Sequence, residues 1–146
     1  MAFKHLNIHN FPQLKATTTE KGRRYRVGDS LYPSVTTVIG HSKKKAIFEW
    51  RQKVGEEEAN AISKRASTRG NKCHKLCELY LENKSLSKYK DDPLSMGLFY
   101  QIKPYLDSID NIHALEESMS SSLLKMAGRV DCIAEYNGEL AIIDFK

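Results

Sequence analysis

The chain has 146 residues, 40% of them apolar and 28% charged, an ordinary balance for one soluble globular domain. No apolar run approaches the roughly 18 residues of a membrane span, and polar residues interrupt the apolar pairs of "MAFKHLNIHNFPQLK", so a helical span and a secretory signal are both excluded and the expected compartment is the cytoplasm. Lys and Arg outnumber Asp and Glu by 23 to 18, a net charge of +5 that permits a nucleic-acid partner without requiring one.

The three cysteines, Cys73, Cys77 and Cys132, are an odd count in a chain without a signal, which predicts reduced thiols. Cys73 and Cys77 lack the second ligand pair that a zinc site needs.

The first predicted element is a β-hairpin over residues 22–33, "GRRYRVGDSLYP", turning at Gly28-Asp29. "SVTTVIG" then reads as a short helix with Ser34 as N-cap and Gly40 as stop, or as a strand; its β-branched residues leave both open. A helix is expected from Lys43 to about Val54, ended by Gly55, with Trp50 in its core-facing side. A second helix is expected over residues 56–66, with an acidic first turn that suits the helix dipole. After "STRG" the helical pattern resumes in "NKCHKLCELYLEN", where Leu76, Leu79 and Tyr80 share a face. Residues 84–92 form a polar loop, and Pro93 opens a helix through about Ile109 that Pro104 kinks.

From Ile112 the pattern turns to strands. "MAGRVDCIAEY", then Asn137-Gly138, then "ELAIIDFK" is the signature of a type I′ hairpin. Counting outward from that turn pairs Tyr136 with Glu139, sets Asp131 opposite Asp144, and sets Arg129 opposite Lys146. Asp144 and Lys146 share a face, and Ala141, Ile143 and Phe145 form the core face. Opposed residues have Cβ atoms about 4.5–5.5 Å apart, and like charges there are destabilising. Two facing carboxylates become favourable around a divalent cation, and oxygen ligands with substrate phosphate suit Mg²⁺ or Mn²⁺.

With these residues in view, "AGRVDCIAEYNGELAIIDFK" resembles motifs II and III of the PD-(D/E)XK nuclease superfamily, on its RecB-like exonuclease side. "YPSVTTVIG", "FEWRQKVGEEEA" and "RGNKCHKLCELYLEN" resemble the upstream part of that group, so the resemblance runs from about Leu31 to Lys146. It implies an α/β (α+β) fold in one domain over residues 1–146. A hairpin lead-in would occupy residues 1–33, helices residues 34–110, and catalytic strands residues 111–146, incomplete past the Asp-x-Lys, where the group carries a Gln/Tyr helix and further strands. It implies a Mg²⁺- or Mn²⁺-dependent DNA exonuclease of recombination, repair or degradation, cytoplasmic in the host if phage-encoded. The DNA would be single-stranded or have a free end.

The same resemblance makes Asp131, Asp144, Glu78 and His74 the metal site and Lys146 the catalytic lysine. Arg69 becomes a phosphate contact at a helix start, and Glu116 or Glu117 a further acidic position. Arg51, Lys43, Lys44 and Arg24 are the expected DNA contacts, with Arg23, Tyr25, Arg26 and Lys45 beside them. Two other expectations stand: a DNA-binding or split-nuclease part that needs a second chain for the remaining segment, and a structure-specific endonuclease.

Overall fold

The computed structural model describes residues 2–145 and is an α+β protein with four α-helices and two three-stranded sheets. Its backbone groups into two compact units. One comprises Met1–Asn10, Ile62–Glu116 and Val130–Lys146, and the other Phe11–Ala61 and Glu117–Arg129. Helix Glu56–Leu81 and the two long strands pass from one unit into the other. Among the described residues no helix is long and apolar enough to cross a membrane.

The unit that contains Phe11–Ala61 is built on an antiparallel meander: β1 (Ala16–Thr19), β2 (Gly22–Val27) and β3 (Ser30–Pro33). The expected β2–β3 hairpin turns at Gly28, whose φ of +60° only glycine adopts without strain. β1 is an addition that "ATTT" did not announce, because four residues are too few to show alternation. Tyr25 is buried on one face of the meander. Helix α1 (Val35–His41) resolves the strand-or-helix ambiguity. Ser34 Oγ accepts the Thr37 amide at 3.0 Å, so a cap decides what the β-branched residues left open. Gly22 is fixed by a close approach, since a Cβ there would meet Thr37 Cγ2 at 2.5 Å. Helix α2 (Lys44–Val54) ends at Gly55, φ +88°, as read from the sequence. It buries none of its residues, however, and Trp50 is 36% exposed rather than in a core.

Helix α3 (Glu56–Leu81) is continuous through Ser67–Gly70, where two helices were expected. The pause at Gly70 costs only about 1 kcal/mol against alanine, too little to break a long helix. Its buried residues in the unit that contains Ile62–Glu116 are Leu76, Cys77 and Leu81; of the expected Leu76, Leu79 and Tyr80, Leu76 is buried and Tyr80 packs partly buried against the same core. A 3₁₀ turn (Ser87–Tyr89) leads to α4 (Pro93–Leu106), capped by Asp92 through the Ser95 amide. α4 runs through Pro104 and ends three residues earlier than expected.

β4 (Ile109–Ser121), β5 (Met126–Tyr136) and β6 (Glu139–Ile143) form the second sheet in that order. Asn137 (φ +51°) and Gly138 (φ +83°) are both left-handed, as a type I′ turn demands. The register from Tyr136↔Glu139 to Cys132↔Ile143 is the one counted from the turn. The core packs Phe99, Leu106, Ile109, Ile112, Cys132 and Ala134 against the α3 face. The N-terminal segment joins the same unit: Leu6 donates to the Ile112 carbonyl, and Ile112 donates to Lys4.

Candidate metal centre

Three elements deliver the site. Helix α3 carries His74 at the border of its buried face, β4 carries Glu116, and β5 carries Asp131. Their ligand atoms all lie within 4.8 Å of one another, and among the described residues no other group of three His, Cys, Asp or Glu does so. His74 Nε2 sits 3.0 Å from Asp131 Oδ1 and 3.2 Å from Glu116 Oε1. The carboxylates are largely withdrawn from water, with side-chain exposures of 16% for Asp131 and 12% for Glu116.

Glu116 reaches the centre by an unusual backbone. Its φ is +57°, the left-handed region that costs a non-glycine residue roughly 1–2 kcal/mol. Glu117, next along, is not in the cluster. A regular strand sends neighbours to opposite faces, so alternation alone could not choose between the two glutamates.

Asp131 is held at both oxygens. Oδ2 accepts the Phe145 amide at 2.8 Å, and Oδ1 faces His74. Burial pushes its pKa up, but the Phe145 amide, His74 and Asp144 outweigh burial and hold the carboxyl below the usual carboxylate range. Asp144 lies one step beyond the last β5–β6 pair, so the register carries it to Asp131, and its carboxyl is within hydrogen-bonding reach of Asp131. Phe145, read from the sequence as core, also packs edge-on against the His74 ring with centroids 5.4 Å apart.

The remaining expected residues fall elsewhere. Glu78 shares the His74 side of α3, but its carboxylate turns to Lys75 Nζ at 2.6 Å and is outside the three-residue cluster. Lys146 lies outside the described residues. Arg69 is in the interior of α3, not at a helix start, because the helix runs through Ser67–Gly70 and leaves no open amides there. Arg51 is bound to Glu56 at 2.6 Å and to Asn60, so its guanidinium is already engaged. Lys43 caps α2 without a side-chain bond, Lys44 is its first residue, and both are exposed. Arg24 lies on β2.

The cysteines are thiols. Burial pushes Cys77 and Cys132 up to about 12, and burial also raises Cys73, so all three are protonated at neutral pH.

The donor set fits a divalent ion. Facing carboxylates sheltered from water are oxygen ligands that need a compensating cation, and an imidazole nitrogen beside them is compatible with Mn²⁺ and similar ions.

No family model matches the chain. It is 28% identical over 126 residues to mitochondrial genome maintenance exonuclease 1 of Homo sapiens, covering 80% of this chain and 37% of that protein. The Mus musculus protein of the same name is 28% identical over 123 residues, covering 78% and 36%. The Xenopus tropicalis one is 26% identical over 131 residues, covering 84% and 38%. The chain therefore spans little more than a third of the length of these curated relatives, and its similarity to them is to proteins named as exonucleases.

Proposed function

We propose that this chain carries the metal-binding part of a divalent-metal-dependent DNA exonuclease that hydrolyses phosphodiester bonds. The observation that carries the proposal is the convergence of His74, Glu116 and Asp131, with Asp144 beside Asp131 and the Glu116 and Asp131 carboxylates largely withdrawn from solvent. Similarity to proteins named as exonucleases supplies the class of reaction.

In this reading Asp131, Asp144 and Glu116 hold the ion, Mg²⁺ or Mn²⁺, through oxygen, and His74 adds a nitrogen or a phosphate contact. When bound, the ion polarises a phosphate and lowers the pKa of water. The Phe145 amide keeps Asp131 ionised and aimed, and the Phe145 ring fixes the His74 rotamer. Lys146, two positions beyond Asp144, supplies positive charge to the developing phosphorane oxygens. Glu78, paired with Lys75, orients the α3 side of the site rather than binding the ion.

A second reading draws on the share of the relatives' length that is covered: a DNA-binding part that does not cleave by itself. End-labelled linear single-stranded DNA and a covalently closed circle separate the readings. The exonuclease degrades the linear strand with Mn²⁺ or Mg²⁺, spares the circle, and loses activity in Asp131→Ala and Asp144→Ala. Binding without cleavage selects the second reading, and nicking of the circle selects an endonuclease.

A further inference from the structure

The meander β1–β3 has one core face and one outward face, and the two differ sharply in chemistry. The pairings Ala16↔Tyr25 and Tyr25↔Tyr32 put the buried Tyr25 on the core face. The alternate pairings set Thr17 opposite Arg24 and Arg26 opposite Leu31, all on the outward face. Arg26 also donates its amide to the Lys15 carbonyl at 3.0 Å, which puts Lys15 level with Arg26.

That outward face is a groove lined by Lys15, Thr17, Thr19, Arg24, Arg26 and Leu31, continued by Lys21. Four of these residues are cations. Glu20 is the one acid on the lining, and among the described residues none of the four cations makes an ion pair. Six cations elsewhere, Lys45, Arg51, Lys72, Lys75, Lys84 and Lys103, each have a carboxylate partner.

We propose that this outward face is a binding track for the phosphate backbone of single-stranded nucleic acid. Arg24 and Arg26 are two residues apart on one strand, so their rows are about 6.6–6.8 Å apart. Successive cations at that spacing engage successive phosphates of an extended strand, and the threonine hydroxyls add neutral donors to phosphate oxygens. The track reads charge and spacing, not base edges, so it binds without sequence preference. The choice of nucleic acid over other polyanions rests on the exonuclease reading, but binding at this face needs neither metal nor cleavage.

The test is therefore made in EDTA. Binding of a fluorescent oligothymidylate to the chain is followed by anisotropy over a salt series. Arg24→Gln/Arg26→Gln should weaken binding and lower the magnitude of the slope of log K against log salt by about 1.4, since each phosphate contact on a single strand contributes about 0.7. Lys88→Gln/Lys90→Gln, a pair of equal charge outside the groove, should leave the slope near its wild-type value. Equal losses in the two double variants would reduce the effect to net charge and overturn the proposal. An unchanged slope in Arg24→Gln/Arg26→Gln, with native circular dichroism, overturns it as well. Neither result bears on whether the linear strand is cleaved when metal is present.

Discussion

The two units of this chain are stabilised in different ways. The unit that contains Ile62–Glu116 buries Leu76, Cys77, Leu81, Phe99, Leu106, Ile109, Ile112, Cys132 and Ala134 in one cluster. The unit that contains Phe11–Ala61 buries little beyond Tyr25, Ala59 and Ala127, and α1 and α2 bury nothing. It is ordered by short-range devices instead: the Ser34 cap, the Gly28 turn, and the Arg51–Glu56 pair. The dense core belongs to the unit that brings His74, Glu116 and Asp131 within a few ångströms of one another. The sparse unit presents charge on an open sheet face. Precision of placement follows apolar packing, whereas a surface that only reads phosphate charge does not need it.

Substitutions sharpen that contrast. The largest effect on stability is expected for Phe99→Ala, about 3–5 kcal/mol in urea unfolding, because a 1% exposed ring leaves a cavity. Phe48→Ala, in a residue 63% exposed on α2, should stay within about 0.5 kcal/mol. Equal costs would erase the distinction between the units.

Glu116 separates backbone strain from chemistry. Glu116→Gly and Glu116→Ala both remove the carboxylate and should lose metal-dependent cleavage alike. Glu116→Gly should nevertheless be the more stable of the two by about 1 kcal/mol, since glycine adopts φ +57° freely. A more stable alanine variant would show that the left-handed backbone is not retained.

In the sparse unit, Ser34→Ala should cost about 1 kcal/mol through the lost bond to the Thr37 amide, and Ser34→Gly only a few tenths.

The remaining effects are those of pH. Cys77 and Cys132 are raised to about 12 in the fold, above their ordinary value of 9.0. A raised folded value means that their contribution is fully present below pH 9 and is lost as pH rises from about 9 to 12, because the unfolded thiols ionise first. Alkylation of the native chain at pH 7.5 should accordingly be slow at both, and fast after denaturation. At the acid end, the Lys72 ammonium and the Ser95 cap bonds lower Asp92 to about 2. A depressed folded value gives stability that is present above pH 4 and is lost as pH falls toward 2. Lys72→Gln should flatten that limb of a melting-temperature profile.

Much of this arrangement was legible in the sequence, and the gaps have physical causes. Asn137-Gly138 specified its own turn and therefore the β5–β6 register, because only residues that tolerate positive φ fit there. Gly55 specified the end of α2 in the same way. Gly70 misled, since one glycine in a long helix costs less than the neighbouring turns supply. The expected burial of Trp50 came from residue type, yet α2 buries none of its residues. The site was half legible. His74 was expected from the family resemblance, and the facing of Asp131 and Asp144 follows from hairpin register. The preference for Glu116 over Glu78 does not, because it depends on a left-handed residue within a strand and on Lys75 drawing Glu78 aside.

The central claim is that His74, Glu116 and Asp131 gather around a divalent ion rather than forming a self-contained imidazole–carboxylate bridge. Calorimetric titration of the chain with Mn²⁺ tests it most directly, without DNA and without turnover. Saturable binding is expected in the wild type, lost in Asp131→Ala and in Glu116→Ala and retained in Glu78→Gln. Binding that survives both alanine substitutions, or is absent from the wild type, would contradict it.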